Sequence, residues 1–262
     1  MRHAGAAFQG LHDALLGINI DFTQLDPSAW PADQVAHARA VWAGRVQTEY
    51  RSVQVMTRFL QEVLGAGDPL EVFAGVAAAI TDEIRHTALC VQVVEALGGV
   101  PPLPDPVVEA ETPGFLRLSM PERALGTALS MLVVSETIST AYIEDLRARC
   151  HHPVLRAVLD LTLEDEETHH AFGWDYVAAS LMRFDRAGLD YARLVVDVTL
   201  SPHEERARAV LADMPPERRH LAAWPEPELV ALGISSAERQ ALVFEQVNQR
   251  VLLPRLRALD LR

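Results

Sequence analysis

The sequence predicts an all-α protein built around four long helices, and three observations carry that reading. Apolar residues recur every three or four positions over residues 31–64, 68–97, 119–150 and 153–181. Glycine, proline or a Ser/Asp cap bounds each stretch. Short turns join the first to the second and the third to the fourth, which implies two antiparallel pairs, while a long proline-rich segment between the pairs implies a crossover.

Taken in order, residues 1–30 are mixed, with an apolar stretch over 11–20 that suits a short helix. The first long helix starts at Pro31 and stops at Gly65-Ala66-Gly67. The second opens with Asp68 as cap, Pro69 at the first helical position and Glu71 three after the cap, and ends at Gly98-Gly99. Between Gly98 and Ser119, Pro101, Pro102, Pro104, Pro106 and Pro113 exclude a regular helix. Ser119-x-x-Glu122 caps the third helix, which ends near Cys150. His151 and His152 read as caps of the turn into the fourth helix, which runs from Pro153 to Leu181. Beyond it, 186–200 and 204–211 read as two helices, and Pro215, Pro216, Pro225 and Pro227 mark an irregular segment. Ser235-x-x-Glu238 caps a last helix toward Leu259 that Pro254 bends or ends. The chain therefore divides into an N-terminal segment (1–30), a four-helix unit (31–181) and a C-terminal helical extension (182–262) packed on it.

Composition narrows the function. With 262 residues, 49% of them hydrophobic, the chain can bury an ample core. Nothing resembles a membrane span: the apolar run 73–80, the longest near the candidate site residues, is far below the ~18 residues required. Gln9, His12 and Asp13 interrupt any leader-like apolar core. Two cysteines, Cys90 and Cys150, are too few for a disulfide scaffold, so a reducing cytoplasm is expected. A net charge of -13 argues against nucleic acid. Every basic residue other than histidine is arginine; without lysine, Schiff-base chemistry is excluded. No P-loop or dinucleotide fingerprint occurs.

One pentad appears twice, as Asp82-Glu83-Ile84-Arg85-His86 and Asp165-Glu166-Glu167-Thr168-His169. Residues three apart share a helix face, so each Glu and its His project toward one point and offer an oxygen and a nitrogen donor to a metal ion. Two copies serve two ions, and Glu49 and Glu136, 34 and 30 residues before Glu83 and Glu166, supply a carboxylate from each remaining helix. A single Glu-x-x-His is ordinarily an exposed pair. Here the same-face neighbours are apolar or small: Val76, Ala79, Cys90 and Val93 beside Glu83, and Leu155, Leu159 and Val177 beside Glu166. Acids on such stripes cost several kcal/mol each to bury unpaired. The competing frame Glu167/His170 would turn Arg156, Asp160 and Trp174 inward, so periodicity selects Glu166 and His169.

Over residues 31–181 this pattern resembles the ferritin-like di-iron carboxylate superfamily, which implies a ferritin-like four-helix bundle holding two Fe ions, with Mn or mixed Mn/Fe also accommodated. The first pentad is similar to the Asp-Glu-x-Arg-His motif of bacterial multicomponent hydrocarbon monooxygenases. Cys90 falls where the soluble methane enzyme carries a cysteine, and Thr140, four after Glu136, where those enzymes carry an active-site threonine; the resemblance thus implies catalytic roles for both. Departures weigh against other members of that superfamily. Cys90 replaces the tyrosine of a ribonucleotide reductase radical subunit, Thr162 replaces the extra histidine of arylamine N-oxygenases, and the Cys-x-x-Cys module of rubrerythrins is absent.

Four carboxylates with two neutral imidazoles suit iron or manganese better than zinc. Asp82 and Asp165 are candidates to accept the free N–H of the ligand histidines, and Arg85 to neutralise such an Asp. Tyr50, Tyr142, Trp174 and Tyr176 read as core residues. The expected activity is oxidation of a small organic molecule by O2, by C–H hydroxylation or amine oxidation, with an external electron donor and possible homodimer formation. The alternatives are a ferroxidase or manganese catalase-like enzyme, and a metal-stabilised binding bundle without turnover.

Overall fold

The first long stripe folds as α2 (Ala32–Ala66), which buries Trp42, Val46, Met56, Phe59 and Val63 along one side in the computed structural model. The structure describes residues 6–103, 112–212, 214 and 226–262, and every regular element among them is helical. A shorter α1 (Ala6–Leu16) precedes α2, earlier than the apolar stretch 11–20 indicated, and stops at Gly17. Helix α2 runs through Gly65 and Ala66 to Gly67, whose positive φ of 72° lets the Asp68 N–H reach back to the Val63 carbonyl.

The second stripe forms α3 (Leu70–Ala96), packed along α2 after a three-residue turn. The expected Asp68 cap is not made. Asp68 is buried, accepts a hydrogen bond from the Tyr176 hydroxyl at 2.8 Å and pairs with Arg183 at 2.6 Å, so a tertiary network outcompetes the local cap. The helix stops with Gly98 at φ 77°. In the connection that follows, Pro104 and Pro106 lie outside the described residues. Pro113 opens a single helical turn, α4 (Pro113–Leu116), which Thr112 caps.

Helix α5 (Met120–Thr127) starts with the expected capping box, Ser119 and Glu122. It continues through a π-helical segment (Ala128–Ser135) into α6 (Glu136–Arg149). This stretch, Met120–Arg149, is long and apolar enough to cross a membrane by length and composition, which the run-length reading overlooked; 72% of its most apolar window is buried inside the fold. Helix α7 (Pro153–Leu181) packs on α6, on α3 and on the π segment. Its Gly173 admits the Leu132 backbone so closely that a Cβ would sit 2.9 Å from the carbonyl oxygen.

Beyond 182, two expected helices are one. Helix α8 (Arg186–Ala212) passes through Pro202, whose missing N–H leaves the carbonyl four residues back on Val198, a solvent-exposed residue. Pro215, Pro216 and Pro225 lie outside the described residues, and Pro227 sits in the first turn of α9 (Glu226–Ala231). Ser236, one residue after the expected cap, accepts the Arg239 N–H and starts α10 (Ala237–Val247); Ser235 instead accepts a bond from Arg149. A π-helical segment (Asn248–Leu252) leads into α11 (Leu253–Ala258), so Pro254 falls just after a register change and does not end the helix. Helix α10 packs on α8 and α6, and α8 on the first π segment.

Two apolar clusters result, with a gap at one level of each of three helices. On α2 the gap separates Val46 from Met56, on α3 Ala79 from Leu89, and on α7 Leu159 from Trp174. Glu49, the first pentad and the second pentad fall in those gaps.

Candidate metal centre

All four acids and both histidines come from these gaps and from the start of α6. Glu83, His86, Glu136, Glu166 and His169 are each 4% exposed or less, whereas Glu167 is exposed and His170 only half-buried, against Trp174 and Arg255. The structure therefore places the Glu166/His169 frame inward.

The two imidazoles face each other at 6.1 Å between ring centroids. Each turns Nδ1 inward. His86 Nδ1 lies 3.7 Å from Glu83 Oε2 and 3.5 Å from Glu166 Oε1; His169 Nδ1 lies 3.7 Å from Glu83 Oε1 and 3.4 Å from Glu166 Oε2. Glu83 and Glu166 thus each present one oxygen to either histidine and span the space between them. Glu49 Oε2 approaches His86 Nδ1 at 3.9 Å, on the side where its carboxylate keeps some exposure. Glu136 lies beside Glu166. Two groups, Glu49/Glu83/His86 and Glu83/Glu166/His169, bring their ligand atoms within 4.8 Å of one another and could each hold a metal ion. Glu136 adjoins the second group through Glu166.

Each Nε2 points outward to the pentad of the opposite helix. His86 Nε2 meets Asp165 Oδ2 at 3.1 Å, and His169 Nε2 meets Asp82 Oδ2 at 3.2 Å. An aspartate there keeps a proton on Nε2 and leaves the Nδ1 lone pair for the centre. Arg85 joins the two aspartates, at 3.1 Å from Asp82 and 2.7 Å from Asp165, and donates Nε to the Leu16 carbonyl at the end of α1.

The arrangement fits cations. His86 Nδ1, His169 Nδ1, Glu83 Oε2 and Glu166 Oε2 are buried without a hydrogen-bond partner, a costly state unless something else satisfies them. Protons partly fill that need. Burial and the adjacent Glu83 push Glu49 up to about 8, and burial with the adjacent Glu166 raises Glu136 well above the usual carboxylate range. Burial opposes the charge on His169, yet the hydrogen bond to Asp82 and the nearby Glu166 carboxylate raise it to about 9; burial opposes the charge on His86 too, and the bond to Asp165 and the nearby carboxylates raise it well above the usual imidazole range. A metal ion would release these protons.

Thr140 is buried one turn after Glu136, and its hydroxyl has no partner. Thr48, Thr57, Thr81, Thr87, Thr162 and Thr199 all bond the carbonyl four residues back, so Thr140 is unlike them. Cys90 lines a cavity of about 180 Å³ that ends on Glu49 and His86; Thr140 is not among its lining residues. Burial and the nearby Glu49 push the Cys90 thiol up, which keeps it neutral. Trp174 and Tyr176 are buried, Tyr50 and Tyr142 half-buried, and Tyr142 lines the cavity. His152 precedes α7 without a side-chain cap and lies against Trp30, while His151 is exposed.

The sequence reading missed Arg45, which also lines the cavity. Its signal was available: a charged residue on the stripe of Trp42 and Glu49. Comparison with known proteins adds no relative, since no family model, no curated protein and no solved structure matches this chain.

Proposed function

We propose that the chain is a ferritin-like four-helix bundle with a long crossover between α3 and α5, and that it is a dinuclear oxygenase or oxidase acting on a small organic substrate. Glu49, Glu83 and His86 would hold one ion, Glu136, Glu166 and His169 the other, with Glu83 and Glu166 shared. Two Fe ions, or Mn in one or both positions, suit this oxygen-rich set with two imidazoles. Such a pair supplies electrons to O2 and regains them from an external donor.

The single observation that carries the proposal is the inward convergence of both Nδ1 atoms on two spanning carboxylates, each histidine held from behind by an aspartate of the opposite pentad. In this reading Asp82 and Asp165 hold the imidazoles in one tautomer, and Arg85 pairs with both aspartates and fixes their position. The free Thr140 hydroxyl donates a proton or hydrogen bond beside Glu136. Cys90 forms wall. An organic substrate, rather than iron or peroxide alone, is favoured by the cavity: Trp42, Cys90, Ile143, Leu146, Val158 and Leu159 form apolar surface reaching Glu49.

The test is O2 uptake by Fe(II)-loaded protein with a chemical reductant, against a panel of small organic compounds. Substrate-dependent uptake with oxygen in the product supports the proposal. Rapid Fe(II) turnover to ferric product, insensitive to every compound, would assign the ferroxidase alternative.

A further inference from the structure

We infer that the cavity takes a small molecule bearing one carboxylate, seated on the Arg45 guanidinium, with its apolar body directed toward Glu49 and His86. This rests on the reading of Glu49 and His86 as part of the reacting centre.

Arg45 and Glu49 are four apart on α2, so they share a face and stand about 6 Å apart along the axis. Arg45 stacks over Trp42, with its Cζ 4.2 Å from the ring centroid, and donates Nη1 to the Gly233 carbonyl at 2.9 Å. A guanidinium has five N–H donors. Among the described residues, no carboxylate lies within ion-pair distance of it. The other arginines at this end are engaged: Arg149 pairs with Asp145 and Glu226, and Arg239 with Asp145. Asp145, the second acid lining the cavity, is therefore already neutralised.

A half-buried cation with no ion-pair partner among the described residues leaves donors to satisfy, and its planar fork matches a carboxylate. The site suits a monoanion better than a phosphate, because Arg45 is the only arginine lining the cavity among the described residues and Arg149 and Arg239 are tied to acids. The volume of about 180 Å³ sets the size. An apolar cavity of ~150 Å³ admits benzene, so a single ring or a short chain beyond the carboxylate fills this one.

The experiment is calorimetric titration of the purified protein with benzoate and hexanoate, and with their neutral isosteres benzamide and hexanamide. The carboxylates should bind at least about tenfold more tightly, as a charge-assisted bidentate contact requires. Arg45→Gln should abolish that preference while leaving amide binding in place, and Arg45→Lys should restore part of it. Equal binding of acid and amide by the wild-type protein overturns the inference without any variant, as does failure of the carboxylates to bind. A preference that survives Arg45→Gln places the carboxylate on the metals or elsewhere and overturns it too. Metal content, measured on the same samples, separates the two ideas: an Arg45-dependent preference in a protein that binds no metal refutes the dinuclear reading alone.

Discussion

Replacing Gly173 by alanine probes the contact that sets α7 against the π segment preceding Glu136. The added Cβ would lie 2.4 Å from the Leu132 Cβ and 2.9 Å from the Leu132 carbonyl carbon and oxygen. Carbon atoms rest ~3.5–4.0 Å apart, so the two elements must separate by roughly 1 Å. Overpacking costs ~1–3 kcal/mol, and a backbone neighbour that cannot rotate away puts this site toward the upper end. Alanine recovers about 1 kcal/mol of helix propensity. The net loss is ~1–2 kcal/mol, a fall in Tm of roughly 3–6 °C for a chain of this size. Gly44→Ala is the matched control: nothing lies within 4 Å of its Cβ, so propensity alone should raise Tm by ~2–3 °C. Thermal unfolding followed by circular dichroism distinguishes the two. If Gly173→Ala is as stable as wild type, or gains as Gly44→Ala does, α7 does not dock on Leu132 as described.

Three further outcomes concern the centre. Glu166→Ala or His169→Ala should lose at least one bound ion, whereas Glu167→Ala should keep both; metal analysis showing the reverse would turn α7 by one residue. Asp165→Asn should lower metal affinity ~10–100-fold by releasing His86 Nε2, read by competition with a chelator, and unchanged affinity would reduce Asp165 to a partner of Arg85. Thr140→Val should keep metals and leave Tm unchanged or higher, because the hydroxyl it removes is buried and unpartnered. It should also slow oxidation of the reduced protein by up to ~10²-fold if the hydroxyl assists O2 chemistry, and unchanged stopped-flow kinetics would confine Thr140 to packing.

What was legible in the sequence followed from periodicity. The spacing of Trp42, Val46 and Met56 placed Glu49 inward, and Leu155, Leu159 and Val177 selected Glu166 over Glu167. The histidine–aspartate pairing was legible only as chemistry. That each aspartate serves the histidine of the other pentad depends on how α3 meets α7, which no local pattern encodes. Errors fell where tertiary partners override local rules. Asp68 has the spacing of a cap but is drawn into the Tyr176–Arg183 network, and Ser235 is taken by Arg149, leaving Ser236 to cap α10. The two helices read over 186–200 and 204–211 are one, because the carbonyl that Pro202 leaves free belongs to an exposed turn. The π segments carry no distinct composition, so the register change before Glu136 was invisible. Arg85 reaching α1 required the packed chain, whereas Arg45 stood on the stripe of Trp42 and Glu49 and was passed over.

The central claim is tested most directly by the metal content of the purified chain after anaerobic reconstitution with Fe(II), measured by mass spectrometry beside Glu83→Ala. The proposed dinuclear centre predicts about two ions per wild-type chain, a Tm that rises when they bind, and loss of both effects when the Glu83 carboxylate is removed. A folded wild-type chain that retains no iron or manganese, with a Tm indifferent to either metal, would contradict it.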